Sequence, residues 1–105
     1  MRRGEVWWAD LPAPAGRRPV VLLSRDSAYA VRLYVTVAPV SRRVRGLPVE
    51  VPLGPSDGLP QVCAANLDNI STVNKNILQQ RITSLRPDKL EAVDSAIHFA
   101  LGLES

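Results

Sequence analysis

The stretch Glu5-Val6-Trp7-Trp8-Ala9-Asp10-Leu11 sets the fold class, because it is rich in residues that favour β-strands and ends at Pro12. We therefore predict a first strand over residues 5–11. The next segment, residues 12–18, contains two prolines and one glycine, which predict a loop. Pro19 then opens the apolar run of residues 20–24, which is typical of a buried strand.

The middle of the chain continues with short strands separated by turns. Residues 33–40 predict a third strand, because four of them are β-branched. Residues 47–53 alternate in polarity but contain prolines, which indicates a strand at an edge of the sheet. The remaining predictions are a basic loop, a turn and two short strands, at residues 41–46, 54–58, 62–67 and 77–85.

The C-terminal segment changes to a helical period. Pro87 suits the first position of a helix, and Gly102 suits its C-terminal cap. The chain therefore predicts a mainly β single domain over residues 1–105, in which a small, strongly bent sheet or barrel carries a final helix. The apolar residues of that helix recur every three or four positions, at Leu90, Val93, Ile97 and Leu101.

Length and composition exclude several classes of protein. The chain has 105 residues, 46% of them hydrophobic, which suffices for one core but not for a second lobe. No run approaches the roughly 20 apolar residues of a membrane span, and the N-terminal residues lack the apolar stretch of a signal peptide. One cysteine and one histidine argue against a disulfide framework and a zinc site. We expect a cytoplasmic domain that uses no membrane, metal or cofactor.

Basic residues concentrate in the first part of the chain. Residues 1–45 contain nine arginines against three carboxylates, whereas residues 46–105 contain four basic against seven acidic side chains. The planar fork of donors on arginine suits phosphate oxygens, which favours a polyanionic partner. A basic face that is merely solvated explains the same composition, so both interpretations stay open at this point.

Common catalytic motifs are missing from the sequence. It has no Gly-x-x-x-x-Gly-Lys loop, no Gly-x-Ser-x-Gly motif and no cluster of carboxylates at metal-binding spacing. His98 lies away from the apolar face of the predicted helix, so we interpret it as solvated rather than as a general base. Cys63 lies in an apolar strand, which predicts a small core residue.

Two arginine clusters remain as candidates for chemistry. Arg17 and Arg18 precede the second predicted strand, whereas Arg42 and Arg43 follow the third strand, directly after Ser41. Arginines at such positions can clamp a phosphate, and the serine hydroxyl can add a hydrogen bond. The alternative, from the residues alone, is that both clusters are solvated loops.

Five segments resemble, in order, the signature regions of the MazF/PemK/Kid-like ribonuclease toxins. The run RPVVLLS is similar to the family's arginine-proline strand, and VTVAPVS is similar to a strand that in the family usually ends in threonine. The runs RGEVWWADL and ANLDNISTV resemble the N-terminal strand and a later signature, and the last segment resembles the terminal helix. These segments are residues 3–11, 18–24, 35–41, 65–73 and 90–103, and they cover nearly the whole chain with compatible spacing.

The resemblance implies an SH3-like, partly open barrel that forms a homodimer and acts as the toxin of a bacterial toxin–antitoxin pair. It further implies sequence-specific cleavage of single-stranded RNA without a metal. The family's catalytic arginine falls on Arg18 and its catalytic threonine on Ser41, which keeps the hydroxyl but loses the methyl group. A second departure is the short loop at residues 12–17, which has no glutamate where many members have a longer Gly-Ser-Glu-type insertion.

RNA brings its own nucleophile, the 2′-hydroxyl, so the protein need only orient that group and stabilise charge on the phosphate. We predict that Arg18 and Ser41 are the catalytic residues, and we assign no general base. A turn or a helix cap explains Asp68 and Asn69 as well as base recognition does. The predicted RNA-binding residues are Arg17, Arg42, Arg43, Asp68 and Asn69.

The predicted partners are single-stranded RNA, a second copy of the chain, and an acidic antitoxin whose disordered tail folds on binding. Trp7 and Trp8 point to opposite faces of the first strand, and the family position favours Trp8 as the antitoxin anchor. Two other functions stay open. One is a non-catalytic toxin such as the DNA gyrase poison CcdB, which has an aromatic residue in its tail where this chain ends Gly102-Leu103-Glu104-Ser105. The other is a nucleic-acid-binding module without catalysis.

Overall fold

The predicted first strand forms and pairs with the second in an antiparallel hairpin. In the computed structural model, which describes residues 1–103, strand β1 occupies Glu5–Asp10 and strand β2 occupies Arg17–Leu22. Val6 lies opposite Val21, and Asp10 lies opposite Arg17. Residues 104 and 105 lie outside the described residues. They are the last two residues of the predicted domain and belong to the chain end that was compared with CcdB.

Five further strands and two helices follow within residues 1–103. The connections between the later strands contain three short 3₁₀ turns, at Pro55–Asp57, Leu67–Asn69 and Lys75–Ile77. The longer elements are α1 (Ala28–Val31), β3 (Tyr34–Ser41), β4 (Glu50–Leu53), β5 (Cys63–Asn66), β6 (Ser71–Asn74), β7 (Leu78–Ser84) and α2 (Pro87–Ala100).

Strand β3 lies at the centre of the topology. The antiparallel sheet runs in the order β4-β5-β3-β2-β1-β7, and β6 pairs separately with β3. Along one edge of β3, the end near Ser41 pairs with β5, and the other end, from Tyr34 to Val37, pairs with β6. Among the described residues, the terminal strands β4 and β7 do not pair with each other, so the barrel stays partly open. The predicted mainly β fold with a C-terminal helix is confirmed.

Alternation along the β1–β2 hairpin divides the core into two layers. Val6 and Val21 belong to the layer that is covered by α2, where Val93 is fully buried. Ala9 and Val20 belong to the opposite layer, together with the side chain of Tyr29 from α1. Both faces of the hairpin are therefore buried, which explains why its strands are apolar at consecutive positions.

Helix α2 has the predicted boundaries. It begins at Pro87, and Gly102 follows its end with a positive φ of 67°, a backbone conformation that glycine adopts without steric cost. Leu101 is 60% exposed, so its predicted place on the buried face is wrong, because it lies beyond the last helical residue, Ala100. Within residues 1–103, no helix is both long and apolar enough to cross a membrane.

Some predicted boundaries need correction. Strand β2 begins at Arg17, because Arg17 and Arg18 pair with Asp10 and Ala9 of β1, so both arginines belong to a strand rather than to the predicted loop. Strand β4 begins only at Glu50. Neither α1 nor β6 is predicted from the sequence, because each spans four residues and shows no measurable period.

Candidate active site

Strands β2 and β3 bring the two predicted catalytic residues to one end of the sheet. Val20 of β2 lies opposite Pro39 of β3. The pairing of these two strands ends there, and two residues farther along each strand lie Arg18 and Ser41, the last residue of β3. The strand register thus brings a guanidinium and a hydroxyl to the same place.

A cleft of about 480 Å³ opens at this end of the sheet. Its walls come from the β1–β2 hairpin, from the end of β3 with the basic loop that follows, and from the connection between β4 and β5. The cleft thus collects most of the site residues predicted from the sequence, which are Trp8, Arg17, Arg18, Ser41, Arg42 and Arg43.

Arg18 is half-buried and is held by the hairpin loop. Its Nε donates a hydrogen bond of 3.1 Å to the backbone carbonyl of Ala15. This bond fixes the near edge of the guanidinium and leaves Nη1 and Nη2, the two terminal nitrogens, to donate to a ligand. The fork of two parallel N–H groups fits two oxygens of one phosphate.

Ser41 is oriented by the chain that follows it. Its Oγ accepts a hydrogen bond of 3.1 Å from the backbone N–H of Arg43. Because the oxygen serves as acceptor in this bond, the hydroxyl proton can be donated to a second acceptor. Ser41 therefore offers the cleft one neutral hydrogen-bond donor.

The side chain of Arg17 stacks on Trp8. The guanidinium carbon lies 4.4 Å from the centre of the Trp8 ring, and Nε donates to Oε1 of Gln79 at 3.2 Å. A cation over an indole face is attracted by the ring quadrupole, so this stack limits the orientations of the guanidinium. Arg17, a predicted RNA contact, and Trp8, the predicted antitoxin anchor, are thus in direct contact.

The wall opposite the hairpin was not predicted from the sequence. It consists of residues 59–61, and Gln61 accepts a hydrogen bond of 3.2 Å from Nη1 of Arg42. Gly58 and Pro60 indicate a turn here, but neither residue indicates a role in a site. Gln61 comes close to Arg42 only through the pairing of β3 with β5.

Glu50 is a second residue that sequence reasoning missed. Its Oε1 accepts hydrogen bonds from the backbone N–H groups of Arg45 and Leu47, at 2.9 and 3.2 Å. The bond from Arg45 is the main cause that holds the pKa of this carboxyl below its ordinary value. Glu50 therefore holds the end of the basic loop that carries Arg42 and Arg43 against the start of β4.

Asp68 and Asn69 do not line the cleft. They lie in the 3₁₀ turn between β5 and β6, which crosses the middle of β3 rather than its Ser41 end. Both are exposed, and the backbone N–H of Asp68 donates to the side chain of Asn66 at 2.9 Å. The structure therefore shows a turn capped by Asn66, and base recognition by Asp68 and Asn69 stays a prediction.

The cleft is strongly cationic. Within the described chain, four arginines line it and no carboxylate or imidazole does. Cys63 also lines it but is buried, and burial raises the pKa of its thiol, so it is not a thiolate nucleophile. His98 is exposed on α2, as predicted. Among residues 1–103, no three His, Cys, Asp or Glu side chains come together in a way that could hold a metal ion.

A family model described as the PemK-like, MazF-like toxin of type II toxin–antitoxin systems matches residues 2–101. The chain belongs to this toxin family. The match includes both walls of the cleft and helix α2, and it confirms the family that the five sequence segments indicate.

Individual relatives of this toxin-family chain agree over nearly its whole length. It is 42% identical over 100 residues to a Mycobacterium tuberculosis protein named probable endoribonuclease MazF5, which covers 94% of this chain and 91% of the relative. The solved M. tuberculosis toxin MazF-mt6 has a TM-score of 0.88 at 33% identity, covering 96% of this chain and 99% of that one. A mycobacterial endoribonuclease solved with its cognate antitoxin has a TM-score of 0.90 at 28% identity, covering 100% and 98%.

Proposed function

We propose that this toxin-family protein is an endoribonuclease that cuts single-stranded RNA at specific short sequences in the cytoplasm, using the cleft between β2 and β3. The observation that carries the proposal is the placement of Arg18 and Ser41 at one end of the sheet, in a cleft lined by four arginines. The relative named as a probable endoribonuclease supports it, since the identity extends over 94% of this chain.

The reaction that fits this cleft starts from the RNA itself. The ribose 2′-oxygen attacks the adjacent phosphorus, and the bond between phosphorus and the 5′-oxygen breaks. One product ends in a 2′,3′-cyclic phosphate, and the other begins with a 5′-hydroxyl. The proton of the 2′-hydroxyl passes to solvent, and the leaving 5′-oxygen receives a proton from Arg18, which recovers it from water.

Arg18 and Ser41 have different parts in this step. The two terminal nitrogens of Arg18 donate to the phosphate oxygens on which negative charge increases, and Ser41 adds one hydrogen bond. The guanidinium is protonated at neutral pH, so it carries its full charge while the phosphate gains charge, before it gives a proton to the leaving oxygen. Arg17, Arg42 and Arg43 bind the phosphates on either side of the cut.

An internal nucleophile suits a cleft of this composition. Hydrolysis by water calls for a group that accepts the proton of that water, and histidine or a carboxylate usually does so. The cleft lining described above offers neither. Attack by the 2′-hydroxyl is intramolecular, so the alignment and charge stabilisation that arginine and serine donors supply lower its barrier while its proton passes to solvent.

The 2′-hydroxyl of the substrate provides the deciding test. The cut sites are first mapped on a long messenger RNA, and a labelled oligoribonucleotide with one such site is then made with and without a single 2′-deoxy sugar at the cut. We expect the deoxy substrate to bind but resist cutting, and the parent substrate to give a cyclic phosphate equally well in EDTA. Normal cutting of the deoxy substrate, or loss of cutting in EDTA, would refute the mechanism.

The same assay separates the two other functions. A nucleic-acid-binding module would bind the parent RNA and leave it intact. A toxin of the CcdB type, which acts on a protein target, would neither bind nor cut it. Cleavage at defined sequences is the outcome that the proposed function requires.

We also infer two protein partners: a second copy of the chain and an acidic antitoxin. An endoribonuclease that acts on the cell's own RNA needs an inhibitor, and an extended acidic segment complements the cationic cleft. The mycobacterial endoribonuclease that shares this fold was solved with its cognate antitoxin, which supports this inference.

A further inference from the structure

We propose that Gln61 and Gln79 are positioning residues, which hold Arg42 and Arg17 in the orientation that binds RNA phosphates without neutralising their charge. The proposal rests on the proposed function, because it assumes that these two arginines contact RNA. It adds two residues to the site that neither the sequence motifs nor the predicted RNA contacts include.

Gln79 reaches Arg17, which lines the cleft, through an irregularity in β7. The register between β1 and β7 moves from Trp8 opposite Gln80 to Ala9 opposite Leu78, so Gln79 is the extra residue of a β-bulge. A bulge changes the direction of a side chain relative to a regular strand. Here the side chain accepts the 3.2 Å hydrogen bond from Nε of Arg17.

This bond completes the support of the Arg17 side chain. One face of the guanidinium lies against the Trp8 ring, 4.4 Å from its centre, and the Nε edge is bound by Gln79. The opposite face and both terminal nitrogens are left for a ligand. Holding the side chain in this way lowers the conformational entropy lost when a phosphate binds.

Gln61 supports Arg42 from the other side of the cleft. It belongs to the connection between β4 and β5, and its Oε1 accepts from Nη1 of Arg42 at 3.2 Å. Arg42 follows β3 at the start of the basic loop and is exposed. Two arginines on different walls thus share one arrangement, a guanidinium bound to a side-chain amide.

The choice of an amide matters because of charge. Elsewhere in the described chain, arginines pair with carboxylates: Arg3 with Asp94 at 2.6 Å, and Arg81 with Glu5 at 3.5 Å. Those pairs fix the side chain but offset its positive charge. A glutamine oxygen accepts the same kind of hydrogen bond and carries no charge, so the full charge of the arginine stays available to a phosphate.

The test measures how RNA binding depends on salt. The probe is a fluorescein-labelled 2′-O-methyl RNA 12-mer of random sequence, which cannot be cut by 2′-hydroxyl attack, and binding is followed by anisotropy over a range of salt concentrations. Each phosphate contact on single-stranded nucleic acid contributes about 0.7 to the slope of log K against log salt. The loss of one contact therefore weakens binding about fivefold more at 0.1 M salt than it does at 1 M salt.

Charged and uncharged replacements of the glutamines have different expected effects. Gln79→Glu and Gln61→Glu turn each pair into an ion pair, so each should reduce the slope by about 0.7, as Arg17→Ala and Arg42→Ala do. Gln79→Met and Gln61→Met leave the arginine charged but unsupported, so binding should weaken about threefold with the slope unchanged. Ser95→Glu adds the same charge at an exposed position of α2, outside the cleft lining, and should leave the slope at its parent value.

The results distinguish this inference from the proposed function. If the two arginine variants reduce the slope and the Gln→Glu variants keep the parent slope, the positioning role is wrong and the RNA contacts stand. If Arg17→Ala and Arg42→Ala themselves leave the slope unchanged, the assignment of these arginines to RNA fails. If Ser95→Glu reduces the slope as much as Gln79→Glu, the effect is one of net charge, and the inference is overturned.

Discussion

In the proposed mechanism, Arg18 and Ser41 contribute unequally to the stabilisation of a phosphate that gains negative charge. The guanidinium offers two parallel, charge-assisted hydrogen bonds, whereas the hydroxyl offers one neutral bond. Their anchoring is similar, since Arg18 is held by the carbonyl of Ala15 and Ser41 by the N–H of Arg43, both at 3.1 Å. Arg18 and Ser41 therefore differ in the number and charge of the hydrogen bonds they offer, and not in how firmly their side chains are held.

Substitution at these two positions should separate their contributions. Arg18→Ala should lower the single-turnover cleavage rate by at least about 10²-fold, the scale of one lost transition-state donor. Arg18→Lys keeps the charge without the fork and should recover only part of that loss. Ser41→Ala should cost less than Arg18→Ala, and Ser41→Thr, which retains the hydroxyl, should stay close to the parent rate.

Circular dichroism of each variant controls for folding. Parent-like cutting by Arg18→Ala would remove Arg18 from the reaction. Parent-like cutting by Ser41→Ala would show that the Ser41 hydroxyl is not a group that acts in the reaction.

Gly58 is a position where only glycine fits. Its φ is +94°, and a Cβ there would lie 2.5 Å from Oγ1 and 2.7 Å from Cβ of Thr83 in β7. Positive φ costs an L-residue about 1–2 kcal/mol, and the clash with a strand adds to this. Gly58→Ala should therefore lower the free energy of unfolding in urea by about 3 kcal/mol.

A matched control exists at Gly46, whose φ is also positive, +71°, but which has open space around the Cβ position. Gly46→Ala should cost only about 1 kcal/mol, because it carries the backbone penalty alone. Equal losses for the two variants would mean that contact with Thr83 does not restrict Gly58.

At the scale of elements, a buried carboxylate fastens the N-terminal end of β1 to β7. Glu5 accepts hydrogen bonds of 3.0 Å from the backbone N–H of Arg2 and from Nε1 of Trp7, and it pairs with Arg81 of β7. Burial by itself raises the pKa of this carboxyl, but the hydrogen bonds from Trp7 and Arg2 outweigh burial and bring the pKa below its ordinary value of 4.5.

This lowered pKa predicts a pH dependence of stability. Because the folded-state pKa lies below the unfolded one, the stabilisation is fully present above about pH 4.5 and is lost as the pH falls through the folded-state value. Glu5→Gln should cost about 1–2 kcal/mol at pH 7 in urea unfolding. It should also lose less stability than the parent between about pH 5 and pH 3.

Glu91→Gln, which removes an exposed carboxylate from α2, controls for the loss of one acidic group. It should keep the parent's dependence on pH. If Glu5→Gln loses as much stability as the parent on acidification, the contacts of Glu5 between β1 and β7 are not what acid weakens.

The sequence predicts best those elements and site residues that are determined by neighbouring residues. It predicts poorly those that depend on contacts between residues far apart in the chain. Strands β1 and β3 and helix α2 have long patterns of their own, and Arg18 and Ser41 lie in segments with a family resemblance. Strand β6 has only four residues and is defined by its pairing with β3. The Arg42–Gln61 and Arg17–Gln79 bonds span 19 and 62 residues, so only the folded sheet reveals them.

At the scale of the whole molecule, exposed apolar side chains favour association with a second copy. Val31 and Leu33, which are close in the chain at the end of α1, are 75% and 59% exposed. Light scattering after size exclusion at micromolar concentration should give about twice the chain mass of 11.5 kDa. A clean monomer under these conditions would contradict the proposed homodimer.

The positive charge of the cleft favours an acidic inhibitor. Nine arginines lie in residues 1–45, and four of the arginines in the chain line the cleft. An acidic, disordered antitoxin segment gains both charge complementarity and order when it binds there, so its binding should weaken with salt and should add secondary structure to the circular dichroism of the mixture. The partner to test is the product of the neighbouring reading frame.

We predict that the antitoxin contacts Trp8, which lines the cleft. Its ring is half-buried and carries Arg17, so an antitoxin side chain that packs on Trp8 must displace or cover that arginine. Trp8→Ala should weaken antitoxin binding at least about tenfold in titration calorimetry, the scale of a buried aromatic anchor. Trp8→Phe keeps an aromatic face and should recover part of the affinity. A protein that is harmless when expressed alone, or an antitoxin that binds Trp8→Ala as tightly as the parent, would contradict this account.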